Sequence, residues 1–230
     1  MKAKIAIIAA LPREVAPLIK QRTTHWTEES DHAHKVFVFT SNEAVIAYAG
    51  MGAIRAEMAV RKALQHGPFS HLLSVGWAGA LMADCPIGSL HHPAHVIDTE
   101  TKQHFATVAG TGTLVSVARF ADAEEKRNLA ADFHADYVDM EAATVARIAS
   151  EQGIPFAAIK TISDGRDAAF PDLQRFYTGD GWFREKAFAL HVAVHPRLWS
   201  PVMQMGRNAS FAAQNLCQEL RRILQAQEGS

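Results

Sequence analysis

The chain is poor in cysteine, in charge of one dominant sign and in long apolar runs. Its two cysteines among 230 residues, Cys85 and Cys217, form no CxxC pair, which suits reduced thiols rather than a disulfide framework. Twenty-three Lys and Arg stand against 24 Asp and Glu. That balance excludes the basic stripe of an electrostatic nucleic-acid binder and any polyelectrolyte tail. No apolar stretch approaches the ~18 residues of a membrane span. The apolar run at the start continues into LPREV with no small-residue cleavage site, so it reads as a first strand rather than a signal peptide. A soluble, cytoplasmic, globular protein is expected.

Several motifs are missing as well. No G-x-S-x-G marks a hydrolase serine. His91, His92 and His95 cluster without HExxH or another metal-ligand spacing, so no metal is expected, and no cofactor. Gly50-x-Gly52 invites a dinucleotide reading, but Arg55 replaces the third glycine. No Asp or Glu lies between Glu57 and Asp84 to take the ribose. A tight turn with close helix packing remains.

What is present alternates. Lys4 to Ala10 (KIAIIAA) fits a strand buried on both faces, and Pro12 can start a helix. Residues 35–40 and 44–49 predict a hairpin around Ser41-Asn42-Glu43. Ala56, Ala59, Val60, Ala63 and Leu64 form one helical stripe after Gly52. His71 to Gly76 predicts a strand running into a turn at Trp77-Ala78-Gly79-Ala80. Strand-like pieces follow at 90–97, 105–109 and 113–117, with a helix over 122–133. Asp139 is placed to cap a helix over 140–152. Phe156 to Ile162 is a strand ending at Ser163-Asp164-Gly165. A loop over 166–181 and helices near 182–194 and 207–226 complete the pattern. It predicts a single α/β domain over 1–230, with ligands at the carboxyl ends of strands.

Three acids follow three strands. Glu14 is an ordinary first-turn helix acid when taken alone. Glu141 complements a helix dipole, and Asp164 before a glycine suits a turn. The same positions are where α/β folds place catalytic acids, so both explanations stand. Together the three could converge on one pocket, one of them kept protonated by burial. Trp77 is either a core anchor or an apolar pocket wall.

Four blocks carry a resemblance: IAIIAALPREV (Ile5–Val15), GMGAIRAEMAV (Gly50–Val60), SVGWAGAL (Ser74–Leu81) and VDMEAATVARIA with IKTISD (Val138–Asp164). They resemble the purine nucleoside phosphorylase and nucleosidase superfamily, more narrowly methylthioadenosine/S-adenosylhomocysteine nucleosidases. HPRLWSPVMQMGRNA (His195–Ala209) is similar to hopanoid-associated phosphorylase-like proteins. The resemblance implies a three-layer αβα sandwich around a central mixed sheet and a homo-oligomer, a dimer above all. The activity it implies is cleavage of the N-glycosidic bond of a purine nucleoside, with no nucleic-acid or membrane partner. Asp164 would give a proton to the purine N7 and Glu14 would activate water. Glu141 would hold the ribose hydroxyls with Met140 packed on the sugar. Ser163, Lys160, Gly76, Trp77 and Ala78 complete the implied substrate-binding set.

The chain departs from the family at Trp77 and Ala80, in a turn that binds phosphate in phosphorylases. It departs also at Ala10, often glycine, and at Lys160, often arginine, where bidentate geometry would be lost. Water is therefore favoured over phosphate as nucleophile. Arg13, Arg55 and Arg61 remain as anion ligands for a phosphorylase, and a non-catalytic nucleoside binder is the rival outside the enzymes. Phe105, Phe120 and Phe170 are the aromatics available to stack on the base.

Overall fold

The computed structural model describes residues 3–21, 24–168, 174–178 and 182–228. Its spine is a set of buried parallel strands. Strand β1 (Lys4–Ala9) is buried at every position after Lys4, as a run of Ile and Ala with no polar alternation requires. Each isoleucine removed from water there is worth about 1.5–3 kcal/mol. It lies between β4 (Ala44–Tyr48) and β5 (Phe69–Ala80), parallel to both. Beside β5 runs β11 (Phe156–Asp164), also parallel. Strands β2 (Thr27–Glu28) and β3 (Phe37–Thr40) extend the β4 edge antiparallel, β3 through the predicted hairpin.

The other half holds β7 (His95–Asp98), β8 (His104–Ala106), β9 (Thr113–Ser116) and β10 (Tyr137–Asp139), with β6 (Leu90–His91) paired to β11. The order in the eleven-stranded sheet is β2-β3-β4-β1-β5-β10-β9-β7-β8, β11 branching from β5. Parallel and antiparallel pairs coexist, so the sheet is mixed, as expected. The single strand expected over 90–97 is two, β6 and β7, parted at Pro93, which has no N–H to give a ladder.

The predicted turn at 77–80 is instead the far half of β5. Two neighbours supply partners for its backbone: β10 pairs antiparallel at Gly79 and Ala80, and β11 stays parallel as far as Gly79. Small residues there signal close packing rather than reversal.

Helices cover both faces. The α2 (Ala53–Ala63) stripe and α4 (Ala142–Gln152) share one apolar cluster with the strands. On the opposite face α1 (Pro12–Ile19) packs against α6 (Trp199–Glu228), whose Leu216, Cys217, Leu220 and Leu224 are buried beside Val15 and Leu18. Helix α6 begins earlier than the 207 expected. Pro201 is tolerated in its first turn, where a missing N–H costs nothing, and Gly206 does not stop it. Cys217 Sγ donates to the backbone carbonyl of Glu14 at 3.2 Å, so the last helix touches the start of the first. Two further helices, α3 (Ala123–Phe133) and α5 (Glu185–Ala193), complete the α-helices of the described residues. No helix among the described residues is long and apolar enough to cross a membrane.

Candidate active site

A cavity of 250 Å³ opens at the carboxyl ends of β1, β5, β10 and β11, and Glu14, Glu141 and Asp164 all border it. The three acids that sequence could place only separately therefore share one wall.

Glu14 does more than serve its own helix. Its Oε2 accepts the Ala10 and Leu11 N–H groups at 2.9 and 2.8 Å, and its Oε1 crosses to β5 to accept the Trp77 N–H at 2.9 Å. The residue is 4% exposed. Burial pushes its pKa above the usual carboxylate value, against the pull of those three amides and of the Lys160 charge. Gly76 beneath it has φ +141°, and a Cβ there would stand 2.5 Å from Oε1. Only glycine allows this approach. The carboxylate thus fills a cradle of backbone N–H groups of the kind that binds anions.

Glu141 stands at the start of α4, where its Oε1 accepts the Gly52 N–H at 2.7 Å. Gly52 itself, at φ +88°, caps α2. Burial first, and then the Asp139 charge, raise the Glu141 pKa to about 8, while Lys160 and the Gly52 amide pull it down. Asp139 does bond the helix start as predicted, accepting the Ala142 N–H at 3.0 Å. It also accepts the Ser116 hydroxyl at 2.6 Å and pairs with Lys160 at 2.8 Å. Burial lowers the Lys160 pKa, but Asp139, Glu141 and Glu14 around it raise it on balance. Lys160 further donates to Ser74 Oγ at 3.1 Å.

Ser163 and Asp164 both border the cavity, which neighbours on an unbroken strand do not do, because their side chains alternate. A register shift between Ile162 and Asp164 breaks the alternation, as bulges beside functional sites do. The Ser163 hydroxyl donates to Asp164 Oδ1 at 2.5 Å, and the Lys126 ammonium donates to Oδ2. Lys126 reaches the Gly165 carbonyl too, at 2.9 Å.

Of the other expected site residues, Met140, Trp77 and Ala78 line the cavity. Gly76 and Lys160 lie beneath it, under Glu14 and beside Asp139, and reach its contents only through those acids. Among the aromatics, Phe120 is at the cavity. Phe105 sits on β8 away from it, against the α4-side core, and Phe170 lies outside the described residues. Arg13 borders the cavity. Arg55 donates to the His34 carbonyl and lies over the Trp182 ring, and Arg61 pairs with Glu57 in solvent. A second cavity, of 370 Å³, adjoins the first across Met51, Met140, Phe120 and Tyr177. Among the described residues no cluster of His, Cys, Asp and Glu has the makings of a metal site.

Sequence reading missed Lys126, Tyr177 and Phe183, all at the cavity. The two aromatics fall in or beside the stretch expected to be loop, where no periodicity points inward. Lys126 did leave a trace: it stands at helical spacing with Leu129, Ala130 and Phe133, the apolar side of α3. A lysine on that stripe is buried only when a partner awaits it.

A mixed sheet sandwiched by helices, with acids from separate strand ends around one cavity, has the layout of an α/β enzyme for small molecules. The profile of the Phosphorylase superfamily matches residues 4–112 and 101–194, and the chain belongs to that family. It is 24% identical over 205 residues to the aminodeoxyfutalosine nucleosidase of Helicobacter pylori, covering 73% of this chain and 87% of the relative. Among solved structures, the fold matches 5′-methylthioadenosine/S-adenosyl homocysteine nucleosidase of H. pylori with TM-score 0.74 at 18% identity, over 97% of this chain and 98% of that one. The corresponding nucleosidase of Colwellia psychrerythraea, in complex with adenine, matches at TM-score 0.71 and 18% identity, over 97% and 95%. The family and the αβα fold implied by the four sequence blocks are both borne out.

Proposed function

We propose that the protein is a nucleosidase that hydrolyses the N-glycosidic bond of a purine nucleoside, a 5′-substituted adenosine, and releases adenine. The observation that carries the reading is the Glu14 carboxylate held by three backbone amides at the cavity wall. In that seat it occupies the donors a phosphate would need, and it leaves a base positioned to take a proton from water. Asp164, on the same cavity, supplies the acid for the leaving purine. Glu141, fixed by the Gly52 amide, receives the ribose hydroxyls, with Met140 against the sugar and Phe120 against the base. An oxocarbenium-like transition state asks for this division between a leaving-group acid and a nucleophile's base. The relatives' names, nucleosidases acting on adenosine-type compounds, point the same way.

The reading includes one catalytic unit over the whole chain, a homodimer, a cytoplasmic location and no nucleic-acid partner. The free thiols of Cys85 and Cys217 support the location, and the balanced charge supports the lack of nucleic acid.

The test is chromatographic detection of adenine released from methylthioadenosine, S-adenosylhomocysteine and adenosine, with and without phosphate. Equal release without phosphate is expected. Release only with phosphate would make the protein a phosphorylase, and binding of adenine without any release would make it a sensor.

A further inference from the structure

Asp164 accepts a hydrogen bond on each oxygen, from Ser163 on one and from Lys126 on the other. A carboxylate so engaged has no proton of its own to give, yet the reaction proposed above requires one at the purine N7. The side chain of Lys126 is only 2% exposed. It is the one buried residue of α3 and reaches the site from a helix that otherwise packs apolar groups. Its path is prepared from below: a Cβ on Gly79 would stand 3.0 Å from Lys126 Cε and 2.9 Å from Asp164 Oδ2. Glycine at that point of β5 makes room for the pair.

We infer that Lys126 acts through Asp164 as the source of the proton that reaches the leaving purine. This assignment rests on the nucleosidase reading. As the C1′–N9 bond breaks, its electron pair passes to the purine and Asp164 delivers a proton to N7. Asp164 has that proton to deliver because the Lys126 N–H bond gives it to Oδ2 in the same step, the bond's electron pair staying on the lysine nitrogen. On the other side of the sugar the water oxygen bonds to C1′ and its proton goes to Glu14. The cycle closes when Glu14 loses that proton to solvent and Lys126 regains one, so nucleoside plus water yields purine plus sugar with no charge left over. The other charged groups on the cavity are Arg13, Glu14, Arg119, Asp139 and Glu141. Arg119 is paired with Glu125, Asp139 with Lys160, and the neighbouring Arg127 with Asp167. None of them donates to Asp164 among the described bonds.

The experiment measures kcat and KM against pH for the wild type, Lys126→Met, Lys126→Ala and Lys126→Arg, with folding checked by circular dichroism. Lys126→Met should lose about 10²-fold in kcat at neutral pH, the scale of a lost proton transfer. Its KM should change little, and its pH profile should differ in shape from that of the wild type. Added methylamine should restore turnover to Lys126→Ala. Lys126→Arg keeps the ion pair and so the fold, but a guanidinium does not release a proton, and it should be as slow as the Met variant. Wild-type kcat and pH profile in Lys126→Met or Lys126→Arg would overturn the assignment alone. A wild-type enzyme that frees no base from any nucleoside would overturn the nucleosidase reading, and this assignment with it.

Discussion

Gly76 and Glu14 occupy what in any other sequence would be the same space: a Cβ at residue 76 would stand 2.5 Å from the Glu14 carboxylate oxygen. The contact fixes the height of that carboxylate above β5 and, with the Trp77 amide, its direction. Gly76→Ala should therefore push the base off its seat rather than unfold the sheet. The strained φ of +141° adds to the displacement. A misplacement near 1 Å costs about 10²-fold in rate. Adenine affinity, read by calorimetry, should fall far less than kcat. Equal losses of both would mean that the glycine serves binding and not the water.

Asp164→Asn keeps the shape and removes the proposed proton carrier. We expect kcat to drop by about 10²–10⁴-fold, with the chain still folded. The amide also leaves Lys126 without its carboxylate, so a modest fall in melting temperature should accompany the loss. Near wild-type turnover would remove Asp164 from the chemistry.

Glu141 gives a pH dependence of stability with a definite sign. Its folded pKa is raised to about 8 from an ordinary 4.5, so the folded state holds a proton that the unfolded chain releases. The stabilisation is present in full below about pH 4.5 and fades as pH climbs towards 8. Glu141→Gln cannot lose that proton. The melting temperature of the wild type should fall relative to the variant across this interval, and parallel curves would contradict the raised pKa.

The same substitution reports on recognition. Glu141→Gln should impair a ribonucleoside more than its 2′-deoxy counterpart, because only the former presents the hydroxyl that the proposed function assigns to the acid. Comparing kcat/KM for the two substrates decides it, and equal losses would take Glu141 away from the sugar.

Asp139 and Lys160 make a pair with side chains 0% and 1% exposed. Removing one charge deprives the other, still buried, of its ion-pair partner, at a cost of about 3–5 kcal/mol. Asp139→Asn should lower stability by that order in urea unfolding. It should also change the response of Glu141 to pH, because Asp139 is the neighbour whose charge most raises it.

The strand and helix spacings were legible because burial imposes periodicity: KIAIIAA has no polar face, and the Ala56 to Ala63 stripe has one. The acids were legible as positions and not as roles. Glu14, Glu141 and Asp164 each satisfy a local explanation, and two of those prove partly true, since Glu14 bonds its own helix start and Glu141 is the N-cap residue of α4, whose first N–H is held by Asp139. Convergence depends on pairings distant in sequence, such as Gly52 to Glu141 and Trp77 to Glu14, which no local pattern encodes. The segment 77–80 misled because small residues serve turns and close packing alike. Lys126 was hidden by its type: a lysine at an apolar helical position is ordinarily read as surface.

The bond between Cys217 and the backbone of Glu14, with α6 lying along α1, sets a timetable for the newborn chain. The ribosome delivers Glu14 203 residues ahead of Cys217, on the helix that backs it. Until that helix leaves the exit tunnel, the seat of Glu14 lacks one of its supports, however completely the sheet has assembled. A nascent polypeptide stalled short of α6 would carry Glu14, Glu141 and Asp164 and lack the helix that holds the first of them in place.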